Sequence, residues 1–158
     1  MPATTFPRPL AAQPHPTLVA SDLLGPVMVP PEARYSFPAG LYGFDGCREF
    51  VLLPAGRPAL HWLQSTEESG LTFLVAEPGA FFPEQEVDVP SPDLDAIAGA
   101  DAEAADFAAF AIVTLGRERG TATANLQAPL VLHAPSRTGR QVVLNDGRGR
   151  VRVPLAIN

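Results

Sequence analysis

The chain has 158 residues, 46% of them hydrophobic and 18% charged, with a formal net charge of −6. That length suits one domain able to bury roughly 70% of its unfolded surface, and the composition excludes wholesale disorder. No apolar run approaches the ~18 residues of a membrane-spanning helix, and the acidic balance argues against nucleic acid as the main partner.

Eighteen prolines and thirteen glycines suit short strands joined by turns better than helices, because each proline removes a backbone donor and fixes φ. All eleven basic residues are arginine, which reads as a coding habit before a function. A single cysteine, Cys47, leaves no partner for an internal disulfide. The opening residues lack the apolar stretch of a secretory signal, so a cytoplasmic location is expected.

In chain order, residues 1–17 carry five prolines and little apolar periodicity and are expected to form an extended, disordered tail. Residues 18–158 are expected to form the domain. Leu18–Val29 and Arg34–Phe37 read as two short entry strands. Phe37-Pro38-Ala39-Gly40-Leu41-Tyr42-Gly43-Phe44 reads as a tight bend whose rings anchor it to the core. A phosphate cradle at Gly40 and Gly43 is weakly supported, since no lysine and no capped helix follows.

Glu49–Leu53, Leu60–Ser65 and Thr72–Glu77 read as strands. In the last, Phe73 and Val75 lie on one face and Leu74 and Ala76 on the other, so this strand is expected to be central and covered on both sides. Glu84, Glu86 and Asp88 alternate with Gln85, Val87 and Val89, which places the three acids together on the exposed face of an extended segment. Ser91–Gly99 reads as a helix with Ser91 as N-cap, Pro92 at the first position, acids in the first turn and glycine after the end. Phe107–Leu115 and the alternating Thr121–Leu126 read as a hairpin, followed by strands over Leu130–His133, Gln141–Leu144 and Arg150–Leu155. In the last of these Arg150 and Arg152 oppose Val151, Val153 and Leu155, and Pro154 marks a sheet edge. The resulting fold class is mostly β: a small antiparallel β-barrel-like or two-sheet domain with one short helix.

Charge is distributed by segment. Residues 67–106 hold eleven carboxylates and no Lys, Arg or His, whereas residues 107–158 hold seven arginines against Glu118 and Asp146. An open anionic surface would steer a cationic protein towards it and repel nucleic acid. The alternative is that the late arginines fold back and neutralise the block internally.

Chemistry finds little purchase. Cys47 has no base at local spacing, Ser65 lacks a nucleophile-elbow setting, and His15, His61 and His133 lie in unrelated segments without metal-site spacing. The acidic block lacks the spacing of a calcium loop. No catalytic, metal or cofactor residues are expected, and a basic patch of Arg137, Arg140, Arg148, Arg150 and Arg152 is the one feature that would suit nucleic acid. An interaction module is the stronger class, an enzyme the weaker.

Several segments in one order resemble the bacterial flagellar assembly factor FliW family. They are Phe37-Pro38-Ala39-Gly40-Leu41-Tyr42-Gly43-Phe44, Leu63-Gln64-Ser65, Glu77-Pro78 with Phe82-Pro83-Glu84, Thr123-Ala124-Asn125-Leu126-Gln127-Ala128-Pro129-Leu130-Val131, and Gly139-Arg140-Gln141-Val142-Val143-Leu144. Gln85 stands where the family usually has tyrosine, the family's usual tyrosine near Gly149 is missing, and the proline-rich tail is extra. The resemblance implies a barrel-like domain without catalytic activity or cofactor, monomeric when free. It further implies binding to the RNA-binding translational regulator CsrA, either over the RNA site or, as the family picture favours, through an allosteric contact beside it, and alternatively to flagellin. On that picture the factor antagonises CsrA, and accumulating flagellin captures the factor so that repression returns. The residues nominated for partner binding are Glu84, Glu86 and Asp88, the acids least explained by helix capping. Two alternatives stay open: a flagellin-type chaperone with an apolar groove, and a barrel-type hydrolase with a titrating group shifted inside a pocket.

Overall fold

β-branched, aromatic and aliphatic residues between turn residues build ten strands in the computed structural model, which describes residues 15–156. They are β1 (Thr17–Val19), β2 (Val27–Val29), β3 (Arg34–Ser36), β4 (Glu49–Arg57), β5 (Leu60–Ser65), β6 (Thr72–Ala76), β7 (Phe107–Leu115), β8 (Thr121–His133), β9 (Thr138–Gln141) and β10 (Val153–Ala156). Two helices, α1 (Pro78–Phe81) and α2 (Ser91–Ala98), interrupt them. The expected tail falls mostly outside the described residues, and within them β1 already starts at Thr17.

Neighbouring strands β8, β7, β6, β5, β4, β3 and β9 run in that order, and β9 also pairs with β8, so the sheet closes on itself. All its pairings are antiparallel except a parallel bridge between Ser36 and Thr138. Closure removes the exposed edges that an open sheet would present. Tyr35, Phe50, Leu63, Val75, Phe110, Leu130 and Leu132, drawn from six strands, fill the interior together with Phe37, Leu41 and Cys47. Phe37 and Phe50 meet edge to face at 5.4 Å, a favoured geometry for aromatic pairs. Gly139 completes the wall, since a Cβ there would come within 2.6 Å of Leu132 and the Phe37 ring.

β6 carries apolar residues on both faces for the expected reason. Phe73 and Val75 point into the interior cluster, while Leu74 and Ala76 join an outer cluster with Ala111, Val113, Ala124, Leu126 and Leu155. A small separate sheet of β1 and β2 sets Val19 and Val29 against Val51 and Leu53 of β4. The stretch Leu18–Val29, expected as one strand, is therefore a hairpin that turns near Gly25, at φ +74°.

Thr121–Leu126 and Leu130–His133, expected as separate strands, form one long strand that changes partner along its length. Its first part pairs with β10 and its last part with β9. Between them the register against β7 jumps from Ile112–Asn125 to Phe110–Leu130, so Leu126–Pro129 bulge outward opposite Ala111. The Asn125 side-chain oxygen holds the bulge by accepting the Gln127 and Ala128 backbone N–H groups at 3.0 and 3.1 Å. The Asn-Leu-Gln-Ala-Pro motif is thus a strand bulge.

α2 spans the expected residues, but Ser91 is its first helical residue and not its cap; Pro90 takes the cap position without a side-chain hydrogen bond. α1, a single turn opening on Pro78, was not expected. The last segment also departs from a meander, for β10 pairs with β8 at the end of the sheet order, where Pro154 sits on an edge. Arg150 is buried and Val151 exposed, the reverse of the expected alternation. The cause lies in what the guanidinium binds.

Candidate partner-binding face

The acidic segment is pinned to the outside of the barrel by alternate apolar side chains. After α1 turns the chain, Phe82 buries itself in the outer cluster, and Gln85 N–H donates back to the Phe82 carbonyl at 2.9 Å. Val87 and Val89 then pack with Val131, Val142 and Leu144, joined by Leu94 and Ile97 of α2. Residues 85–90 form no strand, and the expected alternation holds only from Glu86 on: Glu84, Gln85, Glu86 and Asp88 are exposed while Val87 and Val89 are half-buried. The three nominated residues are therefore all exposed along one short strip of chain.

The late arginines do fold back onto this segment, but they take its backbone and leave its carboxylates. Arg150 Nη1 donates to the Glu86 carbonyl at 2.8 Å and to Gln85 Oε1 at 3.2 Å, and Arg148 Nη1 reaches the same carbonyl at 3.4 Å. The ion pair Arg150 makes is with Asp146, at 3.2 Å. Arg150's own backbone is locked in turn, its N–H donating to Gln127 Oε1 and its carbonyl accepting from Leu126 and Gln127. Among the described residues no ion pair joins Glu84, Glu86 or Asp88 to an arginine. The strip keeps its charge.

The other four arginines nominated for a basic patch do not all stay free. Arg137 stacks 5.3 Å from the Tyr35 ring and donates to its hydroxyl at 2.8 Å, and Arg148 is engaged as above although exposed, like Arg140 and Arg152.

Two carboxyls have perturbed acidity, and both are explained locally. Glu67 is held below the usual carboxylate range by the Arg48 and Glu49 backbone N–H groups, which donate at 2.6 and 2.7 Å. Asp146 is held down first by the Gln127 amide, then by the Arg148 N–H and by Arg150. A downward shift keeps both ionised near neutrality, the wrong direction for a proton donor. His133 Nδ1 meets Ser136 Oγ at 2.7 Å and also accepts the Ser136 N–H at 3.3 Å, an arrangement that closes the loop between β8 and β9. Cys47 is buried in the barrel interior. Among the described residues no group of three or more His, Cys, Asp or Glu is placed to hold a metal ion, and no helix is long and apolar enough to cross a membrane.

Beside the strip lies an open cleft of about 530 Å³ lined by Glu77, Ala80, Gln85, Val87, Ala108 and Ala109. It escapes a reading of the sequence because its walls come from α1, the acidic segment and β7, three elements that no local pattern ties together. Arg150 as the anchor of the strip was missed as well. Its one local sign is the pair Gly147 and Gly149 just before it, both at positive φ, which mark a tight bend of the chain.

Comparison with known proteins gives a consistent picture. The family model described as FliW protein matches residues 18–155. The flagellar assembly factor FliW of Symbiobacterium thermophilum is 38% identical over 123 residues, covering 77% of this chain and 88% of the relative. That of Bdellovibrio bacteriovorus is 34% identical over 139 residues, covering 87% and 78%. A crystal structure of the flagellar assembly factor FliW superposes with a TM-score of 0.79 at 28% identity, covering 90% of this chain and 99% of the other.

Proposed function

Because the chain belongs to the FliW family of flagellar assembly factors, we propose that it binds and antagonises the RNA-binding regulator CsrA in the cytoplasm and is itself captured by flagellin. In that reading it is a monomeric partner switch without catalysis, coupling flagellin translation to filament assembly. The observation that carries it is the strip Glu84, Glu86 and Asp88, exposed and unpaired while Arg148 and Arg150 grip the backbone behind it. A protein that binds RNA presents cationic side chains, and an uncompensated acidic strip raises its encounter rate without attracting the RNA itself. Co-purification with CsrA and with flagellin from the same cells, at low and high salt, tests it. CsrA is expected to be retained at low salt and released at high salt. Failure to retain CsrA at either would overturn the assignment.

A second reading has one observation in its favour. On the β1–β2 hairpin Leu18 and Met28 face each other across the strands and are 66% and 62% exposed, with Leu23 at the turn 60% exposed. Such an apolar surface suits a chaperone that shields flagellin before export. Flagellin retention that persists at high salt, with no CsrA retained, favours that role.

A further inference from the structure

Where β6 leaves β7 the barrel's hydrogen bonding is interrupted, beside the cleft and the acidic strip. β6 pairs with β7 only from Leu74–Val113 to Ala76–Ala111, after which the chain turns away into α1. β7 runs on to Phe107, paired there with β8 alone. Phe107 is opposite His133, and the Ala134 N–H donates to the Asp106 carbonyl at 3.1 Å, which makes Phe107–His133 a pair that exchanges no hydrogen bonds of its own. Alternation then turns Ala108 towards β8 and directs both the N–H and the C=O of Ala109 away from β8, into the cleft that Ala109 lines. Neither Ala109 group has a backbone partner among the described residues.

We propose that this gap accepts an extended segment of a partner protein as an added strand beside β7, one carrying basic side chains around an apolar residue. Backbone pairing at an open strand edge supplies affinity, and the pockets beside it choose the side chains. Ala80, Ala108, Ala109 and Val87 give the cleft an apolar lining suited to an apolar side chain. The walls ask for positive charge: Glu77 lines the cleft and is exposed, and Glu84 and Glu86 flank the lining residue Gln85 in the chain with no arginine paired to their carboxylates among the described residues. The inference rests on the acidic strip being a face for cationic partners and adds how such a partner is held.

The clean variant is Ala109→Pro. The Ala109 N–H plays no part in the β7–β8 ladder, so proline removes the donor that faces the cleft and spares the barrel. A labelled synthetic peptide alternating arginine with valine is titrated against the full chain, with an arginine-to-glutamate counterpart as control. The arginine peptide is expected to bind saturably and to protect the Ala109 amide from hydrogen exchange. Ala109→Pro should weaken it by about tenfold, the equivalent of one well-made hydrogen bond. Glu77→Arg, a surface change that leaves every backbone group in place, should weaken it too and serves if Ala109→Pro does not fold. Equal binding of the glutamate peptide, an unprotected Ala109 amide, or full-strength binding by both folded variants would overturn strand addition. CsrA captured equally by wild type and Ala109→Pro defeats this inference alone, whereas CsrA ignored by wild type defeats the functional reading beneath it.

Discussion

The Arg150 guanidinium holds the backbone carbonyl of Glu86 at 2.8 Å and leaves the Glu86 carboxylate in solvent. Through that contact an arginine of the basic C-terminal segment meets the acidic middle segment without neutralising it. A cation spent on a carbonyl orders the acidic segment without discharging it, so rigidity and negative charge occur at the same place. An arginine clasping the carboxylate would have given the rigidity and removed the charge.

Removing that guanidinium should therefore loosen the strip. Arg150→Ala deletes a buried side chain that bonds Glu86, Gln85 and Asp146, and hydrogen bonds to charged groups contribute about 1.5–3 kcal/mol each. Because Asp146 is exposed and recovers water, we expect a loss of about 2–3 kcal/mol in urea unfolding. Amide exchange over residues 84–89 should speed up more than in the barrel strands. An unchanged exchange rate there would show that Val87 and Val89 position the strip unaided.

The bend before β4 separates two glycines that look equivalent in sequence. Both have positive φ, +68° at Gly40 and +87° at Gly43, but a Cβ at Gly40 would lie 2.8 Å from the Asp45 backbone while one at Gly43 meets nothing within 4 Å. Gly43→Ala should cost about 1–2 kcal/mol, the strain of a left-handed backbone. Gly40→Ala should cost about 1–3 kcal/mol more, because the contact is with main chain that cannot step aside. Thermal unfolding of the two variants checks the order.

Glu67 links stability to acidity. The Arg48 and Glu49 N–H groups favour its ionised form and so lower its pKa in the folded state. The stabilisation is therefore complete above the ordinary glutamate range and disappears as pH falls through the lowered folded value. In Glu67→Gln, whose amide oxygen still accepts but does not titrate, the deficit relative to wild type should be largest near neutrality and shrink on acidification. Chemical denaturation across that pH range measures it, and a deficit that grows towards acid would contradict the assignment.

Where a residue's neighbours in sequence decide its environment, the fold was legible. Thr121, Thr123 and Asn125 alternate with Ala122, Ala124 and Leu126 as in a half-buried strand, and the exposed trio Glu84, Glu86 and Asp88 followed from Val87 and Val89 needing cover. Distant partners were not legible. The inward turn of Arg150 depends on carbonyls more than sixty residues away, and the single long β8 depends on β9 and β10 arriving on its free side at different points. α1 is four residues long, shorter than any period that could announce it. The cleft beside Ala109 exists only because β6 stops short of the end of β7.

Stopped-flow association with CsrA, for wild type and for a variant carrying Glu84→Arg, Glu86→Arg and Asp88→Arg, tests the central claim most directly. For wild type the association rate should fall steeply as salt is raised; the reversed variant should associate at least about tenfold more slowly at low salt and respond weakly to added salt. A folded variant with the wild-type rate and salt dependence would contradict the account.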